Sequence, residues 1–331
     1  MADTRRQRAP EATAPDGWPE QLAVRAAWCY HMLGLTQAEV AERLGLTRMR
    51  VNRLLAEARE RGLVTVSIDS PLAENVELEE ELRSRFGLSD ARVVLAGPPQ
   101  GGREDPSLAR LLGQVAAAGL APRMRPGITL GVGWGVTLKA LAAALRPAPA
   151  RDAAVVALLG SLNRRSAVDA FEAATLIAQK LSAECYYLPG PLICDRAESR
   201  DVVAAQPAMA EAMARARAAD MAVLSIGGLD TGTVRQVGLV EACEVEELRE
   251  AGAVGNFLGH YIDARAQVVD HPVNARVVGL EPEALRRLPE RVMVSGGPPK
   301  LAALGAVLEA RLVTELVTDQ DSARRLLRAR G

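Results

Sequence analysis

Two stretches of the 331-residue chain combine residue types at spacings suited to chemistry. The first is GITLGVGWGVTLKAL, in which Gly131, Gly133 and Gly135 alternate ahead of Thr137. Glycines let a backbone come close to an anion, and the free amides at a helix start stabilise it. The loop Gly131, Gly133, Trp134, Gly135, Val136, Thr137 is therefore a candidate cradle for a phosphate carried by a small molecule. Its pattern is GxGxG rather than GxGxxG, and no acidic residue closes the next strand as a ribose clamp. The GxxxxGK[ST] pattern of a nucleoside-triphosphate loop is absent too. A close-packed strand–helix turn with no ligand is the plain alternative.

The second stretch is LTQAEVAERLGLTRMRVNRLLAEARERGLV, which concentrates Arg48, Arg50 and Arg53 within six positions. Thr36 with Glu39 three residues later forms a capping box, so a helix starts at Gln37. Gly45 supplies the left-handed residue that ends it. Thr47 caps a following helix whose buried stripe is Val51, Leu54, Leu55 and Ala58. That register turns Arg48, Met49, Arg50, Asn52 and Arg53 outward near the helix start, the end that a recognition helix presents to the major groove. Arginine can bond guanine O6 and N7 together, and asparagine adenine N6 and N7. Thr47, Arg48, Met49, Arg50, Asn52 and Arg53 are the candidate DNA-binding residues. A charged, solvated helical hairpin is the alternative.

Other polar residues fall at the ends of presumed strands: Asn163, Asp169, Asp230, Asn256, Asp263 and Lys300. Asp230 follows SIGGL and Lys300 follows VSGGPP, so both could enter a common cleft, although each type also serves caps, turns and surfaces. His260 and His271 read as structural. Neither a Ser-His-Asp nor a Cys-His arrangement can be assembled, and no metal-ligand spacing occurs, so no cofactor is expected. Cys29, Cys185, Cys194 and Cys243 stand far apart, as reduced thiols do.

These residues need two kinds of scaffold. The length suits two domains. A formal net charge of -1 confines any nucleic-acid surface to a local patch, and 3% aromatics argues against single-strand stacking platforms. Positions 1–19 are rich in proline and charge and are expected to be disordered. Positions 20–66 hold the helix-turn-helix, with seven arginines against four glutamates between Gln21 and Val66. Positions 67–90 read as a linking helix, with Leu78, Leu82 and Phe86 on one face; that face could pack on its own domain or against a second copy. From 91 to 331, apolar runs (ARVVLAG, GITLGVG, AAVVALLG, CYYLP, DMAVLSIGG, ARVVGL, RVMVSGG, RLVTELVTD) alternate with helical segments. The fold class expected is α/β, a Rossmann-like parallel sheet behind the helical domain, with ligands beyond the carboxyl ends of its strands. No run is long enough to span a membrane and no signal-peptide core follows the N-terminus, so a cytoplasmic location is expected.

The order and spacing of GLTQAEVAERLGLTRMRVNRLLAEARERGLV, GVGWGVTL, YYLPGPL, SIGGLD, GAVGNFLGHYID and VSGGPPKLAALGAVLEARLVTELVTDQDSARRLL resemble bacterial SorC-family transcriptional regulators from about Gln21 onward. The resemblance implies a sugar-binding domain similar to sugar-phosphate isomerases and deaminases. It also implies an effector, usually a phosphorylated sugar or related polyol metabolite, and homodimers or homotetramers on double-stranded operator DNA. By motif, Gly131–Thr137 would hold the phosphate, and Asp230, Asn256, Asp263 and Lys300 would line the sugar site. One departure is Asn256, where many relatives carry aspartate. A cytosolic sugar-phosphate isomerase or deaminase with an accessory N-terminal domain is the competing reading. The arginine-rich helix and the lack of a nameable general base favour a regulator, not an enzyme.

Overall fold

The computed structural model describes residues 18–64, 73–97, 105–161 and 170–329. The chain divides into two compact units, Met1–Ser70 and Pro71–Gly331. In the first, α1 (Trp18–Ala27) runs into a π-helical turn at Trp28–Met32, followed by α2 (Gln37–Leu44) and α3 (Arg48–Glu60). Residues 1–17, most of the stretch expected to be disordered, lie outside the described residues. The capping box of α2 forms in both directions, with the Thr36 amide donating to Glu39 at 2.7 Å and the Glu39 amide to Thr36 Oγ1 at 3.3 Å. Gly45 ends α2 at φ +66°, and Thr47 Oγ1 accepts the Arg50 amide at 3.3 Å. The core of this unit is small and aliphatic, with Val40, Ala41, Val51, Leu54, Leu55 and Ala58 buried against alanines of α1.

The second unit begins with α4 (Ala73–Phe86), β1 (Asp90–Val94), α5 (Pro106–Leu120), β2 (Thr129–Val132) and α6 (Val136–Ala144). It continues through β3 (Ala154–Ala157), α7 (Ala170–Leu181), β4 (Glu184–Tyr186), α8 (Ala197–Ala204), α9 (Pro207–Arg217) and β5 (Met221–Leu224). Next come β6 (Ile226–Gly228), α10 (Thr233–Gln236), α11 (Ala242–Glu250), β7 (Gly255–Phe257), β8 (His260–Ile262) and α12 (Pro272–Ala275). The last elements are β9 (Glu290–Val294), α13 (Leu301–Glu309), β10 (Glu315–Asp319) and α14 (Gln320–Arg328).

Seven strands form a parallel sheet in the order β1-β10-β9-β5-β2-β3-β4. Every residue of β3 and β5 is buried, as continuous apolar runs must be when helices cover both faces. From β2 the chain steps outward through β3 to β4, then returns to place β5 on the other side of β2. The order thus reverses between β2 and β5, and a crevice opens beyond the carboxyl ends of strands at such a point.

Three local expectations are revised. The linking helix is part of the second unit, because Leu78, Leu82 and Phe86 are buried against β1 and α14. Arg85 fastens it further, donating to the carbonyls of Leu327 at 2.7 Å and Ala329 at 2.5 Å. The face considered for contact with a second copy is therefore already occupied. The run ARVVGL makes only isolated bridges, Val277 to Ile193 and Gly279 to Leu159, because Pro272 first starts α12. The segment GNFLGHYI instead forms the β7–β8 hairpin, whose turn residues Leu258 and Gly259 both have positive φ, as a tight hairpin of this hand requires. It joins β6 in a three-stranded antiparallel sheet.

His260, on that hairpin, is buried, with Nδ1 3.0 Å from the Leu258 carbonyl, and burial pushes its imidazole from 6.5 down to about 4. Above 6.5 both folded and unfolded chains hold it neutral. As pH falls from 6.5 to 4 only the unfolded chain takes up the proton, so stability is lost, on the order of 3 kcal/mol for this one group. Chemical denaturation of the wild type and His260→Gln across that window should show the steeper loss in the wild type. Equal slopes would mean that the site does not hold His260 neutral.

Candidate nucleic-acid interface and anion cleft

The capping Thr47 and, on α3, Arg48, Met49, Arg50, Asn52 and Arg53 are all exposed, while Val51, Leu54 and Leu55 are buried. The apolar Met49 is 84% exposed, an unusual position for a methionine unless a surface is to cover it. Arg61, further along, pairs with Glu57 at 3.1 Å. Among the described residues, Arg48, Arg50 and Arg53 have no carboxylate within ion-pair distance. Their guanidiniums are therefore available to an external anion or base edge, and they sit on the first two turns of the helix.

In the second unit, Trp134, Gly135, Val136, Ser225, Ile226, Gly227, Asn256 and Lys300 line one small cleft. Its position follows from topology, since Trp134 and Gly135 lie just beyond β2 and Ser225 and Ile226 directly follow β5. Both sides of the strand-order reversal thus contribute. Gly135 precedes α6 at φ +124°, a conformation that L side chains rarely adopt. Among the described residues no side chain caps α6, and its own first turn holds no acid, so its amides and the positive end of its dipole can face an anion. Lys300 is buried, at 8% exposure, and ends a one-turn 3-10 helix that follows Gly297. Asn256 Nδ2 donates to the Gly259 carbonyl at 2.8 Å, which leaves its Oδ1 as the acceptor it offers. The cleft thus brings together a lysine, the amides of a helix start and a hydroxyl.

Other residues singled out from sequence lie apart from this cleft. Gly131 belongs to β2, where a Cβ would press on the Leu158 side chain, so its bareness serves strand packing. Gly133 donates its amide to the Val223 carbonyl at 2.9 Å, and Thr137 is buried in α6. Asp230 lies in the turn after β6 and pairs with Arg249 at 2.5 Å. Asp263 accepts the amides of Arg265 and Gln267, each at 2.8 Å, and so closes a turn. Asn163 and Asp169 lie outside the described residues. Sequence reasoning overlooked Ser225 and its neighbours. The available signal was a serine directly after the four-residue apolar run MAVL, which marks the carboxyl end of a buried strand.

A larger groove of about 630 Å³ borders His260, Arg200, Arg217, Asp270 and Glu281. It mixes both charges and shares no residue with the cleft at the strand reversal. Among the described residues no cluster suits a metal ion, and no helix is long and apolar enough to cross a membrane.

Comparison with known proteins agrees with this division. The sugar-binding domain family (Sugar-bind) matches residues 70–328, and the MarR family matches residues 27–71. The erythritol catabolism regulatory protein EryD of Brucella abortus (strain 2308) is 32% identical over 313 residues, covering 93% of this chain and 96% of its own. The transcriptional regulator LsrR of Klebsiella pneumoniae is 33% identical over 317 residues, covering 93% of each chain. The full-length sorbitol operon regulator SorC from Klebsiella pneumoniae shares the fold, with a TM-score of 0.71 at 24% identity over 93% of this chain and 99% of that one. These relatives are regulators along almost their whole length, and this chain is a regulator rather than an enzyme. The exposed arginine helix and the cleft at the strand reversal therefore belong to a member of the SorC family of transcriptional regulators, with a DNA-binding helix-turn-helix and a sugar-binding domain.

Proposed function

We propose that this cytoplasmic regulator controls genes of carbohydrate metabolism, and that a phosphorylated sugar or polyol in the cleft of Gly135, Ser225, Asn256 and Lys300 alters its affinity for operator DNA. The observation that carries the reading is the meeting, in one cleft at the strand reversal, of buried Lys300 with the start of α6 and its glycine N-cap. Such a site favours an anion, and Ser225 with Asn256 provides for hydroxyls beside it. Asn256 in place of an acid also removes a group that could act as general base, which suits binding without turnover. Thr47, Arg48, Met49, Arg50, Asn52 and Arg53 read the operator. One helix-turn-helix offers a small interface, so two or four copies bind together on a symmetric site. The second unit supplies their contacts by surfaces other than the buried face of α4.

EryD is named for erythritol catabolism and SorC for the sorbitol operon, so polyols belong in the ligand panel beside sugar phosphates. A melting-temperature screen of four- to six-carbon sugar phosphates, polyol phosphates and their unphosphorylated parents should give an upward shift for a phosphorylated compound. Stabilisation only by unphosphorylated compounds would refute the phosphate assignment.

A further inference from the structure

Lys300 reaches the cleft from the turn Gly296–Lys300, and that turn is held from behind by a buried polar chain. The Gly297 amide donates to Asp319 Oδ2 at 3.0 Å and to Ser322 Oγ at 2.8 Å. Ser322 in turn donates its hydroxyl to Asp319 Oδ2 at 2.6 Å and its amide to Oδ1 at 2.9 Å. Asp319 is the N-cap of α14, and the next residue, Gln320, extends the chain of bonds. Gln320 Nε2 donates to Asn75 Oδ1 at 2.9 Å and to Glu74 Oε2 at 3.1 Å. Glu74 is also gripped by Arg324 at 2.6 and 2.7 Å, and Asn75 Nδ2 donates to the Val93 carbonyl at 3.2 Å. Asp319, Gln320, Ser322 and Asn75 are all buried, at 9% exposure or less.

Glu74 and Asn75 form the first turn of α4, the first element after the segment 65–72 that joins the DNA-binding unit to the second unit. Buried polar chains of this kind cost desolvation, and an apolar contact would stabilise the fold as well. Two more hydroxyls, Ser295 Oγ and Thr318 Oγ1, are buried beside the turn without a partner among the described residues. Unmade bonds in a closed interior leave room for a second arrangement of the turn. Gly296 is packed so closely that an added methyl would overlap the Asp319 carboxylate.

We propose that Asp319, Ser322, Gln320 and Asn75 form a relay that couples the Lys300 turn to the first turn of α4, and so passes occupancy of the cleft to the tether of the DNA-binding unit. The relay rests on the reading of the cleft as the effector site, yet its mechanical coupling is testable without any ligand. These four are positioning residues, and none lines the cleft.

Hydrogen exchange in the full-length protein, read at the amides of residues 77–80 that close the first turn of α4, gives the test. Without ligand, Gly296→Ala should speed this exchange about tenfold, the factor that goes with one buried hydrogen bond. In a Gln320→Ala background the same change should add less than about twofold, because the link is already cut. Equal acceleration in both backgrounds, or none in either, overturns the relay whatever the cleft binds. If Gly296→Ala does not fold, Ser322→Ala, which removes one of the two bonds to Gly297, replaces it in the same cycle. With inorganic phosphate as probe, the wild type should gain protection both at Gly297 and Lys300 and at residues 77–80, whereas Gln320→Ala should gain it only at the turn. Protection of the turn with no change at residues 77–80 in the wild type also overturns the relay. Absence of protection at the turn contradicts the effector site instead, and the ligand-free cycle then decides the relay by itself.

Discussion

Gly135→Asp should abolish the response to effector while leaving operator affinity at its wild-type value. Two effects act in the same direction. At φ +124° the backbone of residue 135 suits glycine alone, so a side chain forces the start of α6 out of line, a strain of about 1–3 kcal/mol. The new carboxylate would also lie near Ser225, whose side chain is 3.8 Å from where a Cβ would stand, and would repel a phosphate at the helix start. The DNA-binding unit has its own core, to which this loop contributes no residue. Lys300→Ala should weaken effector binding by roughly ten- to a hundred-fold, the range for one charge-assisted hydrogen bond of about 1.5–3 kcal/mol. Both variants are compared in operator titrations with and without effector, alongside melting curves. Ser225→Asp, which introduces the charge without demanding a positive φ, serves as control if Gly135→Asp is unfolded. A folded Gly135→Asp that responds at the wild-type effector concentration would place the ligand elsewhere.

Arg50→Ala and Arg53→Ala should each weaken operator binding by about 1–3 kcal/mol where the guanidinium makes a bidentate base contact. Among the described residues no carboxylate pairs with either side chain, so truncation tests a contact with DNA rather than one within the protein. A base-reading arginine also reveals itself by relaxed preference at one operator position. Loss of a phosphate contact instead lowers the salt dependence, by about one unit of log–log slope, and weakens all sequences alike. Asn52→Ala and Arg48→Ala sort by the same two readouts. If Arg50→Ala and Arg53→Ala stay folded and bind operator with unchanged affinity, α3 does not read the DNA.

The helix-turn-helix was legible because its determinants are local. A capping box, a left-handed glycine and a cap at Thr47 act within a few residues of one another, and the helical period then decides which side chains face outward. The parallel sheet was legible from its apolar runs, and the strand–loop–helix around Gly135 from its glycines. What each glycine does was not, because Gly131 is bare to admit Leu158, which lies just past the neighbouring strand β3, a contact between residues distant in sequence. Asp230 and Asp263 illustrate the same limit. Each follows a promising motif, yet an arginine on α11 engages the first and a local turn the second. Serine is an ordinary loop residue, so Ser225 gained meaning only once β5 was seen to lie across the strand reversal from β2. The ambiguity of α4 was of this kind too. Its apolar stripe needed a partner, and only the structure names β1 and α14 as that partner.

The account stands most directly on one titration. Full-length protein is bound to a labelled operator duplex selected from a random pool, and its Kd is read by fluorescence anisotropy with and without the phosphorylated compound that raises the melting temperature. The account predicts a change in Kd of about tenfold or more, in keeping with the usual coupling of 1–3 kcal/mol between two sites on one protein, and no chemical conversion of the compound. An unchanged Kd at saturating compound, or turnover of the compound, would contradict it.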